Sequence, residues 1–156
     1  MKRVIYVLIA IAVVIGAYIG VFSYLKKEKI RIVDDQTGHI VKNDDTYLHY
    51  KVFNDKLLKR YGIDFRVILS NSDVDIDKKY DEFSSHLRKG ASSLVLVSVD
   101  LKKGTLKAKM GAKSRKIFDD NFINSIKIKS KDPKKVAVKI VETFLDKALV
   151  ETNKQN

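Results

Sequence analysis

Three carboxylates alternate at Asp73, Asp75 and Asp77. The spacing matches the first ligand positions of a calcium loop, in which every second side chain turns toward one cation. The match stops there, because the sixth position is Lys78 instead of Gly and the twelfth is Ser84 instead of Glu. Helix capping suits these aspartates better, since a carboxylate accepts from the unpaired N–H groups of a first turn. His39, His49 and His86 are too scattered to form a metal site by spacing. Ser92, Ser93 and Ser98 lack a nucleophile-elbow context, and no phosphate-cradling G-x-x-x-x-G-K is present. The chain has no Cys, which removes thiolate chemistry and disulfides and leaves the redox compartment open. Direct catalytic signatures are therefore missing.

The strongest physical signal lies ahead of these residues. Val4 to Leu25 is a run of 22 uncharged residues, thirteen of them Leu, Ile, Val or Phe. As a helix it measures ~33 Å, enough to cross a hydrocarbon core of ~30 Å. Residues 1–25 thus read as an N-terminal transmembrane anchor. A cleaved secretory signal is the alternative, but the only A-x-A-like triplet, Ala10-Ile11-Ala12, sits inside the apolar run instead of after it. Lys2 and Arg3 precede the run; Lys26, Lys27, Lys29 and Arg31 follow it as a membrane-proximal basic patch suited to anionic headgroups. Their near balance leans toward a cytoplasmic C-terminal flank. Gly16 and Gly20 offer a close-approach face for a homodimer in the membrane.

The whole chain carries 31 Lys and Arg against 19 Asp and Glu, a net charge of +12. This favours anionic partners. The aromatic and basic interleaving of a base-stacking platform is absent, so no specific nucleic-acid binding is expected.

The remaining residues must supply one domain. Residues 26–45 read as a linker and the entry to that domain, with a short β-prone piece at Ile30 to Val33, and 46–152 as an α/β unit. Leu48, Val52, Phe53, Leu57 and Leu58 fall at helical spacing, with Asp45 or Thr46 as cap and Gly62 as stop. Ile63, Phe65, Val67 and Leu69 alternate as a strand with one well-buried face. A helix follows from Asp77 to Lys89, capped by Asp75 or Asp77 and closed by Gly90. Leu94 to Val99 is continuously apolar and reads as a central strand covered on both faces. This βαβ unit predicts parallel strands and a right-handed crossover. Gly104 turns the chain into an edge strand, Thr105 to Met110, protected by Lys107 and Lys109. A short helix spans Ser114 to Ile126, then comes the basic loop Lys127 to Lys131. The last helix has Asp132 as cap, Pro133 in its first turn, and Ala137, Ile140, Val141, Phe144, Leu145 and Ala148 on one face.

The order of these elements resembles the TPM domain family. The residues that carry the likeness are Gly62 to Leu69, Ser93 to Asp100, Lys107 to Gly111 and Ile117 to Asp120, and it extends over roughly residues 34 to 150. The resemblance implies an α/β fold, a mixed β-sheet sandwiched between helices, held at the cell membrane by a single span and facing away from the cytoplasm. It also implies assistance to the assembly, maintenance or repair of a membrane protein complex. In some members it implies phosphatase activity with a divalent cation, Ca or Mg, for which Asp119 and Asp120 are the candidate ligands here. The family's turn with a second Gly and an acid is replaced by Gly111-Ala112-Lys113-Ser114-Arg115, so a non-catalytic binding role is the first expectation and a cation-dependent phosphatase the alternative. A cytoplasm-facing module binding anionic lipid or nucleic acid is the third. Gly111, Lys113, Arg115 and Lys116 are the expected contact surface for a membrane protein or its subunit, placed near the carboxyl ends of the parallel strands.

Overall fold

The computed structural model describes residues 32–40 and 44–153. The apolar run, its flanking lysines and the Gly16 and Gly20 pair lie outside the described residues. Among the described residues, no helix is long and apolar enough to cross a membrane.

Two eight-residue strands form the centre, β2 (Ile63–Ser70) and β3 (Ser93–Asp100), and every residue of both is buried. They pair in parallel with Ile63 opposite Ser93 and Ser70 opposite Asp100. β1 (Val33–Asp35) adds in parallel beside β2, and β4 (Thr105–Met110) adds antiparallel beside β3. The result is a four-stranded mixed sheet in the order β1-β2-β3-β4. The unbroken apolar run of β3 is explained by its central place. The alternation in β2 predicts one buried face, yet both are covered, because Asp64 and Arg66 neutralise each other on the second face.

On the face carrying Phe65, Val67, Leu69, Val95, Val97 and Val99 lie α1 (Asp45–Tyr61) and α5 (Pro133–Asn153). Phe144 of α5 meets Phe65 at a ring-centroid distance of 4.8 Å and Phe118 at 4.9 Å. The opposite face takes α2 (Ile76–Ser84), whose Asp77 reaches Lys109 of β4 at 2.6 Å. Both crossovers step the same way along the sheet while their helices lie on opposite faces. Their hands are therefore opposite, and only one obeys the right-handed rule expected for such units.

Several boundaries differ from those expected. The compact unit begins at Ile32, and the stretch read as linker and domain entry supplies β1 to the sheet and the buried Ile32, Val33 and Ile40 to the core. Asp44 caps α1, accepting from the Tyr47 N–H at 3.0 Å. Gly62 ends α1 in the left-handed conformation at φ 67°, as predicted. α2 is capped by Asp75 and stops at Ser84 instead of continuing to Lys89. The hydroxyls of Ser84 and Ser85 bond the carbonyls of Asp81 and Glu82, competing with helical continuation. The single helix expected over 114–126 is two, α3 (Ala112–Arg115) and α4 (Asp120–Ser125). Phe118 is pulled into the core between them, and Asp119 restarts the helix by accepting from the Phe122 N–H at 2.7 Å.

Candidate functional site

After α4 the sequence Ile126-Lys127-Ile128-Lys129-Ser130-Lys131 runs back toward α5. Together with one side of α5 it lines an open groove of about 810 Å³, within the size range of ligand-binding sites. Ile126, Ile128, Val136, Val138 and Ile140 supply its apolar lining. Lys127, Lys129, Lys134, Lys135 and Lys139 contribute charge to it, with Glu142 as the sole acid. Lys134 is engaged with Asp44 at 2.7 Å, and that bond holds its ammonium above, and the Asp44 carboxyl below, their ordinary pKa values. Lys127, Lys129, Lys135 and Lys139 have no ion-pair partner among the described residues. An apolar groove rimmed by four uncompensated cations selects a ligand that is both greasy and acidic.

The contact surface expected at Gly111, Lys113, Arg115 and Lys116 sits at the other end of the sheet. β4 runs antiparallel, so its last residue, Met110, lies opposite Val95 near the start of β3. The surface is thereby at the amino ends of the parallel strands, which corrects the placement at their carboxyl ends. Two of its residues have local duties. The Gly111 carbonyl accepts from Ser114 and Arg115 at the start of α3, and Lys113 Nζ donates to Ser92 Oγ at 3.0 Å. Arg115 and Lys116 are exposed.

The carboxylates are spoken for separately. Asp73 pairs with Lys107 at 2.7 Å and Asp77 with Lys109, while Asp75 caps α2. Asp119 caps α4 and Asp120 is exposed in its first turn. Among the described residues, no three His, Cys, Asp or Glu side chains gather where they could hold a metal ion. The histidines are likewise apart: His39 Nδ1 meets Thr37 Oγ1, His49 stacks on Phe53, and His86 Nδ1 meets Ser85 Oγ.

A second polar centre was missed in the sequence. Asp64 is fully buried and accepts from Arg66 Nη2 at 2.6 Å, from the Arg88 N–H at 2.9 Å and from Arg88 Nε at 3.1 Å. Arg88 continues to Asp55 at 2.8 Å and to Asn54 Oδ1 at 2.6 Å, and Asn54 Nδ2 donates to the Phe65 carbonyl. Arg66 also donates to the His86 carbonyl and lies 5.0 Å from the Phe83 ring centroid. This network ties α1, β2 and the 85–92 loop together and is closed to ligands. Its signal was Asp64-Phe65-Arg66, two opposite charges on one face of an otherwise apolar strand. The groove's signal was the Ile and Lys alternation at 126–129.

Compared with protein-family models, curated proteins and solved structures, the chain matches none.

Proposed function

We propose that this chain is a single-pass membrane-anchored domain, facing away from the cytoplasm, which binds a neighbouring membrane protein or an unassembled subunit without catalysing a reaction. It assists the assembly, maintenance or repair of a membrane protein complex, the role implied by the TPM resemblance. The carrying observation is the groove beside α5, apolar within and rimmed by Lys127, Lys129, Lys135 and Lys139, which have no ion-pair partner among the described residues. The uncharged run Val4 to Leu25 supports the anchor by length and composition. Tethering raises the local concentration of any partner in the same bilayer, so a modest groove affinity suffices.

Crosslinking in intact membranes, followed by identification of the captured proteins, tests the binding role. The expected result is a membrane protein attached through Lys135 or Lys139; crosslinks confined to soluble proteins would overturn it. Alkaline carbonate extraction and protease access to intact cells test the anchor and its orientation. A chain released by carbonate fails the anchor, and one resistant to protease in intact cells but cleaved after permeabilisation faces the cytoplasm. Phosphomonoester hydrolysis that requires Ca or Mg and vanishes in Asp119→Ala with Asp120→Ala would replace the binding role with an enzymatic one.

A further inference from the structure

Residues 126–131 contain no helix, turn or bend. Ile126, Ile128 and Ser130 are half-buried while Lys127, Lys129 and Lys131 are exposed, the period-two pattern of an extended chain with one side against the protein. Among the described residues, the main-chain groups of 127–131 make no backbone–backbone hydrogen bonds. An extended stretch with unpaired N–H and C=O groups is a template for strand addition. Its lysines decide what adds. Two copies of this chain would bring like charges face to face, which is unfavourable across paired strands, whereas an acidic segment would find Lys127 and Lys129 on one side and Lys135 and Lys139 on α5.

We infer that residues 127–131 form a docking edge for one extended acidic segment of the partner protein, which adds as a strand and lays alternate apolar side chains into the groove. This deepens the binding role proposed above and rests on it. The carboxylates of the segment face Lys127, Lys129, Lys135 and Lys139, and its apolar side chains meet the half-buried Ile126, Ile128 and Val138. Main-chain bonds give the segment affinity, and the two-residue repeat of acid and apolar side chain gives it register.

The test uses the full chain in phosphatidylcholine nanodiscs and a short fluorescent peptide of alternating Glu and Val, read by anisotropy. Saturable binding that weakens with salt is expected. It should fall about tenfold or more when Lys127, Lys129, Lys135 and Lys139 are all changed to Glu, with circular dichroism confirming that the variant folds. Peptides N-methylated on one set or the other of alternate amides separate strand addition from simple charge attraction. One set should bind and its counterpart fail; equal binding by both overturns strand addition. Equal binding by an alternating Lys and Val peptide overturns the acidic specificity. Protection of the four lysines from acetylation by phosphatidylglycerol nanodiscs, without peptide binding, would assign the groove to lipid and also overturn the inference. A chain that leaves the discs yet binds the peptide upholds the docking edge and fails the anchor alone. A chain retained in the discs that ignores the peptide fails the docking edge alone.

Discussion

Asp64 Oδ2 and Arg66 Nη2 stand 2.6 Å apart on one face of β2, with both side chains closed to solvent. Each is the reason the other can be buried, since an isolated charge in that layer would be costly to desolvate. Asp64→Ala removes the acceptor for Arg66 and for the Arg88 main chain together. A loss of ~3–5 kcal/mol is expected by chemical denaturation, the range for stripping one partner from a buried pair. Replacing both, Asp64→Leu with Arg66→Met, leaves no orphaned charge at that position and should fall well short of the single-variant loss. If Asp64→Ala were as stable as the parent, the pair would not be holding β2 against the 85–92 loop.

Acid should weaken the fold chiefly through two partly buried carboxylates. Burial by itself raises the Asp35 carboxyl, but hydrogen bonds from the Thr37 hydroxyl and from the N–H groups of Thr37, Ile40 and His39 outweigh it and leave the pKa lowered. Asp55 follows the same course, with burial outweighed by hydrogen bonds from Lys51 and Arg88. A folded pKa below the unfolded value of ~3.9 means the stabilisation is complete above that pH and disappears as pH falls through the folded value. Thermal melts should therefore hold steady at mildly acidic pH and drop below pH ~4. Asp35→Asn keeps one acceptor oxygen where the carboxylate uses two, so it should cost ~1–2 kcal/mol at neutral pH and make the acid drop shallower. An unchanged acid profile in that variant would remove Asp35 from the account.

Gly62 ends α1 at φ 67°, and a Cβ there would stand 2.8 Å from Ser92 Oγ. Two separate penalties follow from one methyl group: left-handed backbone, and a contact that Ser92 must relieve. Gly62→Ala should cost ~1–2 kcal/mol from backbone alone. Adding Ser92→Gly opens the space without changing φ, so the double variant should recover only part of the loss in urea denaturation. Full recovery would mean that the contact alone limits the position.

The elements were legible where periodicity and stop signals agreed. α1 ended at Gly62, β3 fell on the unbroken Leu94 to Val99 run, and α5 began at Pro133 because a fixed φ and a missing N–H suit a first turn. What local pattern could not give was determined by distant contacts. α2 stopped early because, beyond the local competition from the Ser84 and Ser85 hydroxyls, Arg88 is drawn to Asp64, 24 residues back, and the 114–126 stretch broke because Phe118 packs on Phe144. The groove shows the same limit. Lys127 and Lys129 were visible as a basic loop, but the apolar lining they border exists only once α5 lies beside them.

Arg115 and Lys116 provide the sharpest contrast with the groove. They are exposed at the amino ends of the parallel strands, while the groove reaches Thr46 and Lys134 in the first turns of α1 and α5. Arg115→Glu with Lys116→Glu and Lys135→Glu with Lys139→Glu make the same change of charge on the two surfaces. Surface substitutions of this kind usually alter stability by about 0.5 kcal/mol or less each, so both variants should melt close to the parent and differ in capture. Quantitative crosslinking in membranes should show partner yield retained in the first and reduced in the second. The reverse outcome would move the partner to the α3 end of the sheet and leave the lysines beside α5 as a solvated rim, with strand addition at 127–131 falling along with them.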